Sequence, residues 1–472
     1  MSAALRHWLG KLRASSLDPA RVYAWVGGAS ILLLVILVPP FQVPDEPQHF
    51  YRSYQLSTGE LWPKLENGAA GSDLPASLPA LVERFLGTTE FHTERGLRTA
   101  QLQETLAELR RPLDAHSTVF VDFSGSAFYA PLPYLPQALA IAGARAVGIG
   151  PLGLFYVGRL ANALAAIIAT YIAIRLLPVG RGVALVVALL PMTQFQTASL
   201  SADGPTIAAA FLFTAIITRF LVDGVWTVGR TVAAFASGLI MCSVKFVYIP
   251  VLFAGLGTLF GSSAPSRKAW GGVVTQVGMA LAVTALVALW LHANAGRVSN
   301  LPEGVDMEKQ VALVLENPAL FLATSVRSLV ANGEFLARST IGILGWLTLG
   351  LPAWLYVTVC VALALGVYSD GAHGELTWPV AVWLLTLAMG SLLLVQLALY
   401  VYWNPVGARI IEGVQGRYII PLLPMVGVAV SAVFPRRQAV AYRELTYPAL
   451  VAIMGVASVG MHVTIVRGFG VL

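Results

Sequence analysis

The chain of 472 residues is 57% hydrophobic and only 11% charged, whereas soluble domains carry roughly 25% charged residues. This composition excludes an ordinary soluble protein and indicates a polytopic membrane protein. The formal net charge is +6, but Lys and Arg are scattered through short loops between apolar runs. They therefore predict membrane topology rather than a nucleic-acid partner. Cys242 and Cys360 lie inside apolar runs and predict neither a disulfide nor a metal site.

Apolar runs of about 20 residues, the length that crosses a bilayer as a helix, recur along the chain. We expect an all-α, polytopic bundle of about eleven transmembrane helices that forms a single integral membrane domain over residues 1–472, with residues 1–21 in the cytoplasm. No small-residue cleavage site precedes Pro39, so the first run is predicted to be an uncleaved span. The expected spans are 22–40, 152–176, 182–199, 205–222, 231–244, 246–260, 270–291, 351–368, 378–401, 418–434 and 447–466.

The apolar stretch 130–150 decides the topology, because every later loop would change sides if it crossed the membrane. Three prolines in its first seven residues and Arg145 near its end make it a poor spanning helix. If it is re-entrant or interfacial instead, the basic loops after residues 176, 260 and 434 all face the cytoplasm, as the positive-inside tendency requires. We therefore expect residues 151–472 to hold the remaining spans and the C-terminus to lie outside.

Unusual polar residues concentrate in four segments that this topology places outside: the long first loop 41–150, the turn 201–204, the loop 292–349 and the segment 402–418. Within the first loop, residues 81–113 have mixed charge at helical spacing, which predicts surface or juxtamembrane helices. The functional residues are therefore expected at the extracytoplasmic face.

The motif PDEPQHFYR follows the first span and contains two adjacent carboxylates, Asp45 and Glu46. One interpretation is a capped helix start, since prolines suit the first turn and acids suit the positive end of the helix dipole. However, His49 lies four residues after Asp45, and Arg52 three after His49, which places carboxylate, imidazole and guanidinium on one helical face. A site in which a carboxylate acts as a general base or binds a metal is therefore equally consistent with the motif.

A second acid, Asp203, lies in the turn SADGP between two spans. Alone, it is typical of a helix N-cap. Because it shares a membrane face with Asp45 and Glu46, the two acidic segments can divide acceptor binding from deprotonation.

Four cations lie where a charge near hydrocarbon needs a partner or an exit to water. Interface anchoring accounts for each one alone, but together they can clamp a lipid phosphate, because guanidinium groups offer forked donors to phosphate oxygens. They are Arg159, Lys245, Arg409 and Arg417. With His49, Arg52 and Asp203 they form the predicted substrate-binding set, while Asp45 and Glu46 are the predicted catalytic residues.

Several motifs occur together in a fixed order: PDEPQHFYRSYQLSTGEL, SAFYAPLPYLPQAL, GRLANAL, LPMTQFQTASLSADG, KFVYIPVL, IGILGWLTLGLP and QGRYIIPLLP. In this combination the chain resembles a family of bacterial polytopic membrane proteins of unknown function that is grouped with the type C (GT-C) glycosyltransferase superfamily. The resemblance implies a GT-C-like bundle, a polyprenyl-phosphate-linked sugar as donor, Asp45 or Glu46 as the first-loop acid and Asp203 as the second. Lys245, Arg409 and Arg417 are then candidates for the carrier phosphate.

The expected function is transfer of that sugar to an envelope glycan, lipid or protein acceptor at the extracytoplasmic face of the bacterial inner membrane. A divalent cation, Mg or Mn, is left open, because Asp203 is followed by Gly204 and Pro205 rather than by a second acid. The chain has no nucleotide-phosphate loop. The alternatives are a transporter or flippase of a lipid-linked glycan, with the same residues lining a path, and a non-catalytic scaffold for polysaccharide assembly.

Overall fold

The computed structural model describes residues 18–89, 105–114, 116–261, 266–294, 304–370, 376–433 and 440–470. These residues form a mostly helical bundle, as expected for a polytopic membrane protein. The basic residues Arg6, Lys11 and Arg13, which predicted a cytoplasmic start, lie outside the described residues, as does much of the mixed-charge segment 81–113.

The first span is α1 (Pro19–Leu37). It begins at Asp18, whose carboxylate accepts hydrogen bonds from the backbone N–H groups of Ala20 (3.0 Å) and Arg21 (3.3 Å), because the first N–H groups of a helix have no partner within it. It ends where Val38 becomes extended before Pro39 and Pro40, since a residue before proline is disfavoured in the helical region.

The remaining elements follow in chain order. The first long loop, between α1 and the next long helix, holds α2 (Glu46–Ser57), β1 (Lys64–Glu66), β2 (Ala69–Pro75), α3 (Ser77–Thr89), β3 (Thr118–Asp122), α4 (Ser124–Ala127) and α5 (Leu135–Ala146). The bundle continues with α6 (Pro151–Leu176), α7 (Arg181–Ala188), α8 (Pro191–Thr197), α9 (Asp203–Asp223), α10 (Val228–Val244), a 3-10 helix (Phe246–Phe260) and α11 (Arg267–Ala293). After it come α12 (Met307–Glu316), α13 (Pro318–Ala331), α14 (Gly333–Gly342), β4 (Ile343–Leu344), β5 (Leu349–Gly350), α15 (Ala353–Asp370), α16 (Trp378–Tyr402), α17 (Leu423–Val433) and α18 (Val440–Gly468).

The expected count of eleven spans is not confirmed. Within the described part of the chain, seven helices are long and apolar enough to cross a membrane, or eight if a bent pair is one span. Three expected spans are shorter apolar helices: α10, the 3-10 helix and α15. The expected span 182–199 is broken into α7 and α8 at Pro191, because proline cannot donate a helical hydrogen bond.

Helix α6 runs antiparallel to α1. Near its start, Arg159 donates to the carbonyls of Val35 and Val38 at the end of α1. Beyond its other end, Arg181 forms an ion pair of 2.7 Å with Asp18 at the start of α1. The segment between α1 and α6 therefore leaves and rejoins the bundle at the same end. Its helix α5 has only 12 residues and is too short to cross a bilayer, since a spanning helix needs about 20 residues.

The first loop contains a three-stranded antiparallel sheet in the order β1-β2-β3, with Lys64 opposite Gly71 and Gly71 opposite Asp122. This sheet was not predicted, because an all-α chain was expected from the sequence. The apolar residues of this loop pack on the outer part of α6 in a cluster that includes Phe41, Phe50, Phe123 and Phe155. The loop is thereby fixed to the bundle.

A second region of short helices and strands follows α11. Helices α12 and α13 meet at an angle of 105°, where Pro318 begins the second helix. Helix α14 then leads into the two-stranded hairpin β4–β5, with Leu344 opposite Leu349. In the hairpin turn, the indole of Trp346 donates a hydrogen bond of 3.0 Å to the carbonyl of Phe41, which joins this region to the start of the first loop.

Gly416 lies in the turn that leads into α17 and packs directly on α14. A Cβ at this position would lie 2.0 Å from the backbone nitrogen of Thr340, and the N–H of Gly416 donates to the Ser339 hydroxyl at 3.0 Å. We expect Gly416→Ala to lower the free energy of unfolding by about 1–3 kcal/mol, because backbone must move to admit the methyl group. Thermal unfolding of the purified protein in detergent measures this.

The matched control is Gly278→Ala in α11, where no atom of the described residues lies within 4 Å of the added Cβ. This variant should unfold at the same temperature as the parent or slightly higher, since alanine favours helix over glycine by about 0.5–1 kcal/mol. Equal unfolding temperatures for both variants would contradict the close packing at Gly416.

Candidate functional site

Asp45 lies at the N-cap position of α2, with the left-handed backbone angle φ of 65°. Its carboxylate makes no capping hydrogen bond and instead forms an ion pair of 2.7 Å with the guanidinium of Arg417. The side chain of Asp45 is 45% exposed. The capping interpretation of the motif is therefore wrong for Asp45, whose carboxylate is turned towards the bundle and remains accessible.

Asp203 is the first residue of α9 and is held by the turn that precedes it. Its N–H donates to the hydroxyl of Ser201 (3.1 Å), and the N–H of Ser201 donates to the hydroxyl of Ser199 (3.0 Å). Gly204 follows because a Cβ there would lie 3.2 Å from the carbonyl of Gln196, closer than ordinary packing allows. The motif SADG thus fixes the position of the Asp203 carboxylate.

Lys245 follows the end of α10, and Arg417 precedes α17; both contact Asp203. Lys245 forms a short ion pair with Asp203, and Arg417 Nη1 lies 3.6 Å from Asp203 Oδ2. The ring of Tyr418 lies beneath both cations, 4.4 Å from Lys245 Nζ and 5.4 Å from the Arg417 guanidinium carbon. We refer to Asp45, Asp203, Lys245 and Arg417 as the ionic cluster.

The ionic cluster contains two negative and two positive side chains, so its formal charges balance. Three of its side chains are largely buried, with exposures of 7% for Asp203 and Arg417 and 17% for Lys245; Asp45 alone opens to solvent. Burial by itself would raise the pKa of the Asp45 carboxyl, but the charge of Arg417 and its hydrogen bond outweigh burial and hold the pKa below its usual value. Asp45 is therefore ionised at neutral pH.

His49, one turn after Asp45, is buried beside the ionic cluster. Its Nδ1 atom lies 2.7 Å from the hydroxyl of Tyr134, and its ring lies 6.0 Å from the ring of Tyr129. Burial lowers the pKa of His49 to about 4, although the charges of Asp45 and Asp203 oppose this. The imidazole is therefore neutral at pH 7. This geometry places His49 close to Asp45, in agreement with their predicted position on one face.

Arg52 does not belong to the ionic cluster. It is fully buried and donates to the side chain of Gln55 (2.6 Å) and to the carbonyl of Tyr129 (2.9 Å). The predicted stack of Asp45, His49 and Arg52 is therefore incomplete. Because its guanidinium is bound to other parts of the first loop, Arg52 supports the fold of that loop. Its role in substrate binding stays a prediction from the sequence.

Glu46 forms a fully buried ion pair with Arg159. The two guanidinium nitrogens Nε and Nη2 donate to the two carboxylate oxygens at 2.8 and 2.6 Å, and both side chains are 0% exposed. Arg159 also donates to the carbonyls of Val35, Val38 and Pro39. Because both side chains are enclosed, this geometry supports a structural role for the pair. The catalytic role of Glu46 and the substrate-binding role of Arg159 stay predictions from the sequence.

Two residues of α6 hold both acidic segments. Arg159 binds Glu46, which follows Asp45 directly, and Glu46 also accepts a hydrogen bond from the N–H of Leu200 at 3.0 Å. One turn further along α6, Asn162 donates to the carbonyls of Ser199 (2.7 Å) and Ser201 (3.2 Å). The segments that carry Asp45 and Asp203 are thus fixed to the same helix and to each other.

Arg409 lies apart from the ionic cluster in the segment after α16. Its side chain is exposed, and within the described ranges no hydrogen bond or ion pair joins it to Asp45, Asp203, Lys245 or Arg417. Its carbonyl accepts a contact of 3.4 Å from Arg327 of α13. The structure therefore does not bring Arg409 together with the other predicted phosphate ligands.

The residues around the ionic cluster do not gather into a metal site. Among the residues that the structure describes, no group of three or more His, Cys, Asp or Glu side chains could hold a metal ion. Asp45 and Asp203 already bind the cations Arg417 and Lys245. A divalent cation, Mg or Mn, therefore stays an expectation that the sequence leaves open.

Sequence reasoning gave no roles to the tyrosines that surround the ionic cluster. Tyr129 and Tyr134 contact His49, Tyr418 lies under the cations, and the hydroxyl of Tyr248 donates to the carbonyl of Tyr418 at 2.9 Å. Each lies inside a quoted motif, namely SAFYAPLPYLPQAL, QGRYIIPLLP or KFVYIPVL. A tyrosine within each motif was therefore the available signal, but spacing alone did not show that the motifs meet.

A protein-family model described as "Predicted membrane protein (DUF2142)" matches residues 29–426, which is most of the chain. The chain belongs to this family. A search of curated proteins finds no match. The family description states a membrane location and no activity.

The buried pair Glu46–Arg159 generates a test of its structural role. Glu46→Gln or Arg159→Met should each lower the free energy of unfolding by about 3–5 kcal/mol, because each leaves one buried charge unpaired. The double variant should lose less than the sum of the two, since it buries no charge. Thermal unfolding in detergent measures all three. Additive losses would contradict the pairing. The exposed pair Arg338–Glu334 is the control, and breaking it should lower the free energy of unfolding by only about 0–1 kcal/mol.

His49 generates a prediction for pH dependence. Its pKa is about 4 in the folded protein, against an ordinary value of 6.5 that holds for the unfolded chain, so between these values only the unfolded chain binds the proton. The free energy of unfolding should therefore fall as pH is lowered from 6.5 towards 4. His49→Gln should flatten this part of the profile, measured as the unfolding temperature at pH 7 and pH 5. His116→Gln, at an exposed histidine of the same loop, should leave the slope unchanged; equal slopes in all three proteins would refute the assignment.

Proposed function

We propose that this protein is a membrane glycosyltransferase of the GT-C type that transfers a sugar from a polyprenyl-phosphate-linked donor to a glycan, lipid or protein acceptor. The observation that carries this proposal is the convergence of Asp45, Asp203, Lys245 and Arg417 in one cluster, although Asp45 and Arg417 are 372 residues apart in sequence. Sugar transfer from a lipid phosphate needs a carboxylate beside the reacting carbon and cations beside the departing phosphate, and the ionic cluster supplies both.

Asp45 is the proposed general base. Its carboxylate is ionised and 45% exposed, whereas the adjacent Glu46 is enclosed with Arg159. The acceptor hydroxyl loses its proton to Asp45 while its oxygen forms a bond to the anomeric carbon of the donor sugar. The bond between that carbon and the phosphate oxygen breaks, and its electron pair leaves with the polyprenyl phosphate. The atoms and charges of this step balance without a further reactant.

Arg417 is the proposed switch between the empty and the donor-bound site. Without donor it binds Asp45 at 2.7 Å and lies 3.6 Å from Asp203. A donor phosphate offers the same guanidinium a stronger, forked partner. When Arg417 turns to the phosphate, Asp45 loses the charge that depresses its pKa and becomes a better base. Proton abstraction is thereby favoured once the donor is bound.

Asp203 and Lys245 hold the other side of the cluster. The Asp203 carboxylate binds Lys245 and attracts Arg417, so it keeps both cations in place while the phosphate binds. Tyr418 lies under the two cations and Tyr129 beside His49, and such aromatic faces suit the apolar face of a sugar ring. Asp203 is thus proposed to position the two cations and not to transfer a proton.

The site is proposed to face the outside of a bacterial inner membrane. Asp18 and Arg181 form their ion pair at the end of the bundle opposite the ionic cluster, and Arg175 lies in the last turn of α6 at that same end. Basic residues near span ends favour the cytoplasmic side. The opposite end, which carries Asp45, is then extracytoplasmic, where lipid-linked sugars replace nucleotide sugars as donors.

A transporter of a lipid-linked glycan is the second candidate. It is favoured by the bend of 105° between α12 and α13 and by the break between α7 and α8, since transporters often use discontinuous helices. Against it, the charges of the ionic cluster pair with one another at one end of the bundle rather than along a path. Transfer of labelled sugar to an acceptor by the purified protein separates the two functions.

Asp45→Asn should lower the rate of polyprenyl phosphate release by about 10²–10⁴-fold, the range that a general base contributes. The assay uses purified protein in liposomes with synthetic polyprenyl-phosphate hexoses and pentoses, and a membrane extract as the source of acceptor. Asp73→Asn is the matched control, because Asp73 has the same 45% exposure and also pairs with a cation, Lys64. Full activity of Asp45→Asn would eliminate Asp45 as the base.

Arg417→Gln should raise the Kd for polyprenyl phosphate by about tenfold or more, since a hydrogen bond to a charged group is worth about 1.5–3 kcal/mol. Binding is measured by the ligand-induced shift in unfolding temperature, which requires no acceptor. Arg409→Gln is the control, because Arg409 lies outside the ionic cluster. Equal affinities in the parent and Arg417→Gln would contradict phosphate binding by Arg417.

A further inference from the structure

A groove of about 1020 Å³ lies between residues 349–354 and residues 452–468. One wall is the hairpin strand β5 with the start of α15, and the other is the second half of α18. We propose that this groove binds an anionic phospholipid of the surrounding bilayer, with its acyl chain against α18 and its phosphate at Arg467. The proposal is independent of the function proposed above, because the groove contains no residue of the ionic cluster.

The walls of the groove have the chemistry of an acyl-chain site. Trp354, Val456, Val459 and Val463 line it and are 43–64% exposed, so they face the outside of the bundle, where the bilayer lies. Gly455 widens the groove: within the described part of the chain, no atom lies within 4 Å of where its Cβ would be. A volume at the upper limit of ligand pockets, about 300–1,000 Å³, suits a long flexible chain.

The charge at one end of the groove selects an anionic lipid. Arg467 lines the groove in the last turn of α18 and is exposed, and no carboxylate of the described residues forms an ion pair with it. Arg338 approaches the same end, because its Nη2 lies 3.9 Å from the Cβ position of Gly350, although it is partly neutralised by Glu334 at 3.2 Å. A guanidinium at the end of a span, beside an apolar groove, is placed to bind a phosphate at the membrane interface.

Lipid in this groove would support the region that carries the ionic cluster. The groove wall Leu349–Gly350 belongs to the hairpin whose Trp346 donates to the carbonyl of Phe41, four residues before Asp45. Helix α14, which leads into the hairpin, accepts the hydrogen bond from Gly416, the residue before Arg417. A lipid that holds the hairpin against α18 therefore stabilises contacts to both chain segments of the Asp45–Arg417 pair.

The test compares lipid binding by the full-length protein and two variants. Phosphatidylglycerol, phosphatidylcholine and farnesyl phosphate are each added to delipidated protein in detergent, and binding is followed by the shift in unfolding temperature and by native mass spectrometry. We expect phosphatidylglycerol to be the lipid that binds most tightly in the groove, whereas farnesyl phosphate is expected at Arg417. Gly455→Leu should abolish binding because it fills the groove without a clash in the fold, and Arg467→Gln should reduce the preference for phosphatidylglycerol over phosphatidylcholine about fivefold.

Matched controls separate a groove effect from a general one. Gly278→Leu makes the same change at an open position of α11, and Arg175→Gln removes the last-turn arginine of α6; both should bind lipid like the parent. Equal lipid binding by Gly455→Leu and the parent would overturn the site. Equal affinities for phosphatidylglycerol and phosphatidylcholine would overturn the charge selection. Because farnesyl phosphate is also expected at Arg417, only farnesyl phosphate binding that is lost in Gly455→Leu and is tighter than phosphatidylglycerol binding would overturn the phospholipid as occupant.

Discussion

The buried ion pair between Glu46 and Arg159 is the constraint on which the arrangement of the site depends. An arginine inside a membrane bundle cannot remain unpaired without a large desolvation cost. Arg159 meets that cost with the Glu46 carboxylate and three carbonyl oxygens at the end of α1. Glu46 in turn accepts the N–H of Leu200, so one buried charge determines where the first loop begins and where the turn before α9 lies.

The same ion pair explains why two adjacent carboxylates have different environments. Glu46 is drawn inward by Arg159 and is 0% exposed, whereas Asp45 remains 45% exposed. The backbone turns between them through the left-handed conformation of Asp45, which aspartate tolerates better than most residues. Residues held in such sparsely populated conformations concentrate at functional sites. The structural role of Glu46 therefore leaves the Asp45 carboxylate exposed, where the proposed function needs it.

The sequence predicted the features that depend on composition and on the order of spans. Apolar runs predicted a helical membrane bundle, and the placement of basic loops predicted Asp45, Asp203 and Arg417 at one end, where the structure brings them together with Lys245. Features that depend on which side chains meet were not predictable. Spacing on one helix suggested Arg52 as a partner of Asp45, but Arg52 binds the carbonyl of Tyr129, 77 residues away. The sheet β1-β2-β3 was missed because hydrophobic periodicity is weak in short strands.

The unequal environments within the ionic cluster decide which of its ion pairs a phosphate would replace. The backbone next to Arg417 is fixed by the hydrogen bond from Gly416 to the Ser339 hydroxyl. A reorientation of Arg417 therefore involves its side chain and not its backbone. Its contact with Asp45 lies at the accessible edge of the cluster, because Asp45 is 45% exposed, and solvent weakens an ion pair there. The contacts of Asp203 with Arg417 and Lys245 are largely buried and cost more to break. Under the proposed function, an incoming phosphate would therefore displace Asp45 from Arg417 first. Asp203 would keep its contacts with both cations, and the Asp45 carboxylate would be freed next to the ligand.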